Sequence, residues 1–287
     1  LKKIYYLLLL PYIFLLFFVG YLVYFMAVLS LMESGSSIYE SKYVGIENYI
    51  AVFNSPYFYN ALLNTFIWTA GNLTLTVILG LVGALAANEL EGKLKEILMV
   101  LIMIPWFMPW GATAMIWKHL WTTPYGIFGW LVSILGLIKE GQAILTSLPS
   151  AFIAPMITET WKIYPLGLLM LYAGLRQIPK EIYESAQIDG GGGFLIFRYI
   201  TIPLLKPIII TYILLNFMWI MGSFAVMFIL TGGAPGYATE LYSLLIYRKV
   251  FLEIKYHEGA ALSMILFVIL FTIGVLTTYF YKKEVFR

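Results

Sequence analysis

The chain has 287 residues, 61% of them hydrophobic and 11% charged, with a mean hydropathy of +0.87 and a net charge of +3. A soluble globular chain carries roughly 25% charge, so these figures describe an integral membrane protein. The scattered lysines and arginines make no basic stripe of the kind that binds nucleic acid, and the absence of cysteine excludes disulfides, thiol nucleophiles and cysteine-ligated metals.

A helix crosses the hydrocarbon core with about 20 apolar residues, so uninterrupted runs read as spans. The first is Ile4–Leu31, behind Lys2 and Lys3. It is too long for a signal-peptide core and no small-x-small cleavage site closes it, so it reads as an anchor. Ala61–Asn88 and Ile97–Trp117 follow without a charge. Gly126–Ile138, after Pro124, has the length of an interfacial or re-entrant helix. The fourth span, Ala151–Leu175, contains Glu159 and Lys162 and reads as broken by Pro155 and Pro165. Pro207–Thr231 and Gly259–Tyr281 complete six, with Tyr279 and Tyr281 as interfacial anchors.

Between the fourth and fifth spans lies a polar loop, 176–206, with the one aspartate of the chain, Asp189, followed by Gly190 to Gly193. Pro179 suits the first position of a short helix, Glu181 suits its positive end, and Gly190 is the natural left-handed terminator. Ile182, Ser185 and Ala186 share one face of that helix.

Charge asymmetry sets the orientation. With six spans and both ends inside, the cytoplasmic segments hold Lys2, Lys3, Lys93, Lys95, Arg176, Lys180, Arg198, Lys206, Lys282, Lys283 and Arg287. The outer segments hold Lys42, Lys118, Lys139, Arg248, Lys249 and Lys255, so the positive-inside rule makes loop 176–206 cytoplasmic. No internal repeat appears, and residues 1–287 read as a single transmembrane domain with outer loops near 32–60, 118–150 and 232–258.

Catalytic signatures are missing. The glycine run lacks the Lys-Ser/Thr that completes a phosphate-binding loop, there is no H-E-x-x-H, His119 and His257 stand far apart, and one aspartate cannot form an aspartyl pair. Intramembrane charges face a cavity or a partner, and Glu159 and Lys162 are three apart, close enough to pair. A position near the outer interface, with both side chains snorkelling, is the alternative. Asn216, Trp219 and Ser223 recur on one face of the fifth span, where an aromatic platform between amide and hydroxyl suits a sugar, although a lone tryptophan is also common packing. Gly80, Gly83, Ala84 and Ala87 read as helix packing.

The stretch "YESAQIDGGGGFLIFRYITIPLLKP" resembles the cytoplasmic EAA signature of binding-protein-dependent ABC importer permeases. Glu184, Ala186, Asp189, Gly190, Ile200 and Pro203 fall on its positions, with Ser185 for the first alanine and Ile202 for the leucine. "TGGAPGYATELYSLLIYRKVF" is similar to the outer loop before the last span in maltose-type carbohydrate permeases, in the Thr-Gly-Gly-x-Pro subunit of the pair, and "VGIENYIAVFNSPYFYNALLNTFIWT" to their approach to the second span. The resemblance implies an all-α integral membrane protein of the type I importer fold, with six transmembrane helices and both termini cytoplasmic in the cell (inner) membrane. It implies half of a sugar pathway, beside a sister permease, two ATPase subunits holding ATP and Mg, and an extracytoplasmic sugar-binding protein, with no cofactor on this chain. Glu184, Ser185, Ala186, Asp189, Gly190, Arg198 and Pro203 then become ATPase-coupling residues. Sugar contacts are implied near Glu159, Lys162, Asn216, Ile220 and Ser223, with Trp219 beside them. The rival is a secondary transporter using Glu159 as its coupling acid, which would depend on an ion gradient rather than on ATP.

Overall fold

The computed structural model describes residues 2–33, 42–123, 125–137 and 142–285; Pro124, Ile138, Lys139 and Arg287 lie outside them. The described residues are helical apart from one two-stranded antiparallel pairing, β1 (Met32–Glu33) with β2 (Lys42–Tyr43). They divide into two compact units: the chain up to Asn60 together with Tyr242–Phe280, and the stretch Ala61–Leu241 together with residues 281–285.

The first unit contains α1 (Lys2–Ser30), α2 (Glu47–Phe53), α12 (Tyr242–Tyr247) and most of α13 (Tyr256–Val285). His257 Nδ1 lies 2.9 Å from the carbonyl oxygen of Leu29, and Asn48 Nδ2 donates to the carbonyls of Ser30 and Met32. Between α12 and α13 a wide π-helical turn, Arg248–Leu252, carries an ion network. Arg248 meets Glu253 at 2.6 Å, Lys249 meets Glu253 and Glu258 at 2.9 Å, and Lys255 meets Glu258 at 3.1 Å.

Burial pushes the Glu253 carboxyl up, but the hydrogen bond from Lys249 and the charges of Lys249, Arg248 and Lys255 hold it below the ordinary glutamate value. Burial disfavours the Lys249 charge, but donation to Glu253 and Glu258 raises its pKa. A depressed carboxyl stabilises above its unfolded pKa and loses that contribution as pH falls through the folded one. A raised lysine loses its contribution only as pH climbs above the ordinary 10.5. The network is therefore intact at neutral pH and fails in acid, below the ordinary 4.5 of glutamate. Glu253→Gln is expected to speed amide hydrogen exchange of Arg248–Tyr256 at pH 7 and to converge on wild type as the carboxyl is protonated in acid, after correction for intrinsic rates. Equal protection at pH 7 would remove the network from the account.

The second unit is built from most of α3 (Pro56–Glu89), with α4 (Gly92–Phe107), α5 (Trp110–Trp121), α6 (Ile127–Ile134) and α7 (Ser150–Leu175). The short α8 (Lys180–Ile188) and α9 (Gly193–Ile196), then α10 (Ile202–Met221) and α11 (Ala225–Leu230), complete it. Its core joins α3, α7 and α10 through Ala84, Leu171, Leu175 and Leu205. Small residues let the backbones approach: a Cβ on Gly80 would stand 3.0 Å from the Gly167 backbone carbon, and one on Gly83 would stand 2.5 Å from Leu168 Cδ1. The packing role of these glycines follows from those distances.

Four helical stretches among the described residues are long and apolar enough to cross a membrane: Leu9–Ser30, Pro56–Glu89, Gly193–Met221 and Tyr256–Thr277. Three sequence expectations change. Ile97–Trp117 is not one continuous span, because α4 and α5 meet at 98°. Pro109 lacks an amide and drives Met108 to an extended ψ of 139°, which ends α4. Pro207–Thr231 is likewise interrupted: helix runs from Gly193 through a π-helical turn at Phe197–Thr201 to Met221, then breaks at Gly222–Phe224. Conversely, α7 passes unbroken through Pro155 and Pro165 for 26 residues, although its polar centre keeps it out of those four stretches.

Candidate functional site

Both helix breaks open onto one cavity of about 420 Å³, within the usual range of small-molecule sites. Trp106 lies in the last turn of α4 and Trp110 begins α5. Trp219 lies in the last turn of α10, Gly222, Ser223 and Phe224 form the second break, and Ala225 begins α11. α7 supplies Glu159, Lys162 and Ile163. The Trp106 and Trp219 rings stand 5.5 Å apart between centroids and tilt by 30°. Irregular backbone at membrane depth is tolerated where it is buried in protein or lines such a cavity.

Glu159 and Lys162 are 1% and 2% exposed, so neither snorkels. Nor do they form an ion pair with one another among the described residues. Ser223 donates its hydroxyl to Glu159 Oε1 at 2.7 Å, while Oε2 has no hydrogen-bond partner among the described residues. Lys162 Nζ donates to the carbonyls of Pro105 at 3.1 Å, Trp106 at 3.4 Å and Met108. The expected pairing gives way because the end of α4 and the break between α10 and α11 offer each charge its own partner. Thr158 and Thr160 extend the polar stripe of α7, accepting from Trp121 Nε1 at 3.1 Å and donating to Asn72 Oδ1 at 3.0 Å.

Of the residues singled out in the sequence, Glu159, Lys162, Trp219 and Ser223 come together around this cavity. Asn216 and Ile220 do not line it. Both are fully buried, and Asn216 Nδ2 donates to the Tyr212 carbonyl one turn back. Trp106, Trp110 and Phe224 also line the cavity, and each sits in an apolar run where the sequence counts it only as hydrophobic length. The prolines beside Trp106 and Trp110 were the available signal.

The polar loop forms a second constellation. α8 starts one residue later than expected, with Pro179 flanking it at ψ 138° rather than inside it. It has no buried residue, and Glu184, Ser185, Asp189 and Gly190 face outward. Its end is a Schellman motif: Gly191 N–H donates to the Ala186 carbonyl at 2.8 Å, Gly190 N–H to that of Gln187 at 3.0 Å, and Gly190 adopts φ +83°. Tyr183 Oη lies 3.3 Å from Thr201 Oγ1 and ties α8 to the π-helical turn. Glu184 and Arg198 form no ion pair with one another among the described residues; Arg198 lies over the Tyr199 ring at 5.9 Å. Ile188, Phe194 and Tyr199 are 85%, 72% and 67% exposed, an apolar surface around the loop. The 29 residues of Gly193–Met221 run from this loop to the cavity, about 43 Å at 1.5 Å per residue.

A membrane-embedded rod that joins an exposed loop helix to a cavity between two broken helices defines a transport subunit. The chain belongs to the family of binding-protein-dependent transport system inner membrane components, whose profile matches residues 79–282. It is 36% identical to the trehalose/maltose transport system permease protein MalF of Thermococcus litoralis, over 89% of this chain and 86% of that one. It is 32% identical to the sulfoquinovosyl glycerol transport system permease protein SmoG of Agrobacterium fabrum, over 79% and 73%. In structure it resembles a chain of the bacterial alginate ABC transporter solved with its alginate pentasaccharide-bound periplasmic protein. The TM-score is 0.83 at 20% identity, over 98% of this chain and 94% of that one. The protein is thus an ABC importer permease of the type I fold, and the reading as an ion-coupled carrier falls away.

Proposed function

We propose that this chain forms one half of the pathway of an ATP-driven saccharide importer in the inner membrane. The observation that carries the substrate class is the cavity, where three tryptophans converge on one carboxylate and one hydroxyl. Sugar rings present C–H faces that stack on indole and hydroxyl edges that hydrogen-bond, and the surroundings of Glu159 and Ser223 offer both kinds of contact. The names of the trehalose/maltose and sulfoquinovosyl glycerol relatives support the same class.

The remaining parts follow the family pattern. A sister permease supplies the other half, an extracytoplasmic sugar-binding protein delivers the substrate, and two cytoplasmic ATPase subunits hold ATP and Mg. The exposed α8, with Glu184, Ser185, Ala186, Asp189 and Gly190, docks on an ATPase subunit. Arg198 and Pro203 lie where the loop passes into α10, so movement of α8 reaches Trp219 along one continuous helix. The excess of lysine and arginine in loop 176–206 and near both ends supports cytoplasmic termini.

Trp219→Ala tests the cavity. Losing one stacking face is expected to lower uptake of radiolabelled maltose or trehalose about tenfold, with the variant still purifying with its partners. Wild-type uptake of both sugars and of diacetylchitobiose would remove Trp219 from the pathway.

A further inference from the structure

Lys162 is the one cation lining the cavity among the described residues, yet its ammonium is committed to the main chain. It donates to the carbonyls of Pro105, Trp106 and Met108, and it lies 4.6 Å from the centroid of the Trp110 ring. An ammonium has three donors and here it meets three acceptors, so none is left for a substrate hydroxyl. Those acceptors belong to the place where the chain turns through 98°. The last carbonyls of a helix lack intrahelical partners; here the Met108 N–H reaches the Pro105 oxygen at 3.3 Å, and Pro109 has no amide to offer a further one. A positive charge at a helix C-terminus is also favoured by the helix dipole, and in a membrane interior unpartnered carbonyls are costly.

We propose that Lys162 is a positioning residue: it pins the break between α4 and α5 and so fixes Trp106 and Trp110, one on each side of the break, as walls of the cavity. The geometry on both sides agrees. Glu159, one turn earlier on α7, takes its hydrogen bond from Ser223 and leaves Lys162 to the carbonyls. The flat face of Trp110 closes over the ammonium and shields it, which strengthens the three charge-assisted bonds. In this role Lys162 shapes the site without touching what passes through it.

The chain has no cysteine, so labels can be placed on it at chosen sites and the subunit reconstituted with its partners after labelling. Val100 on α4 and Met115 on α5 are 68% and 62% exposed, and spin labels on Val100→Cys and Met115→Cys report the angle between the two helices. The assembled transporter in lipid nanodiscs, without sugar, is expected to give one narrow distance. Lys162→Met is expected to broaden and shift it, and Lys162→Arg, which keeps charge and donors, to restore it. If Lys162→Met does not accumulate, Lys162→Gln is measured instead, with an intermediate distribution expected. An unshifted narrow distance in the Met or Gln variant overturns the proposal, and so does equal scatter in the Met and Arg variants, which would assign the effect to side-chain volume.

Maltose uptake adds a second readout: a displaced aromatic wall is expected to raise KM roughly tenfold in Lys162→Met. A raised KM with an unmoved distance would make Lys162 a direct ligand and overturn the pin. The distance measurement needs no sugar, so its outcome stands apart from whether maltose is carried.

Discussion

Gly190→Asp is expected to disconnect the chain from its ATPase while leaving it inserted and paired with its sister permease. Gly190 sits at φ +83°, a conformation that costs an L-residue roughly 1–2 kcal/mol, and it closes the Schellman motif that ends α8. A Cβ there meets nothing within 4 Å, so no internal clash will unfold the unit. What changes is the tip of an exposed helix, which gains a carboxylate beside Asp189 and a strained turn where a partner docks. Affinity purification of wild type and variant should recover the sister permease equally and the ATPase poorly from the variant. Sugar-stimulated ATP hydrolysis should fall at least tenfold, a loss of about 1.4 kcal/mol or more of coupling. Gly190→Ala separates the contributions, since it carries the strain without the charge. Normal stimulated hydrolysis in Gly190→Asp would refute the docking role of α8.

Gly167→Leu should have the largest effect on assembly. A Cβ at this position would lie 2.7 Å from Tyr212 Cζ and 2.9 Å from its Oη. Tyr212 is fully buried, and the backbone of Gly167 itself stands against Gly80. The buried Tyr212 ring has little room to yield and the helix cannot retreat toward Gly80, so α7 and α10 must separate. Overpacking of this kind costs about 3 kcal/mol or more. The expected result is a strongly lowered yield and thermal midpoint of the monodisperse complex in detergent. Gly20→Leu is the control, because a Cβ on Gly20 meets nothing within 4 Å, and it should leave both unchanged. Equal behaviour of the two variants would mean that the close approach at Gly167 does not limit stability.

The sequence made the helices legible where hydrophobic length speaks for itself, and it made the loop legible where glycine chemistry does. Gly190 could be assigned its left-handed turn because few other residues adopt it readily. The limits of α7 were readable to within a residue, since polar residues bracket it. Ile97–Trp117 was opaque for the opposite reason: its apolar residues continue across Met108–Pro109, and hydropathy is blind to direction. Pro109 carried the correct signal, while Pro155 and Pro165, which look alike in sequence, lie within an unbroken helix whose neighbours hold it together. The partners of Glu159 and Lys162 were beyond reach because they come from other helices. Spacing on α7 put the two charges together, and only packing shows Ser223 and the end of α4 competing for them. Trp106 and Trp110 join Trp219 for the same reason, through a bend that no periodicity encodes.

The partners of Lys162 at the α4–α5 break are main-chain oxygens, and every amino acid supplies the same one. A side-chain substitution at 106 or 108 therefore leaves in place the oxygens that hold the lysine. What lines the cavity at Trp106 and what anchors the bend are carried by different atoms of the same residue.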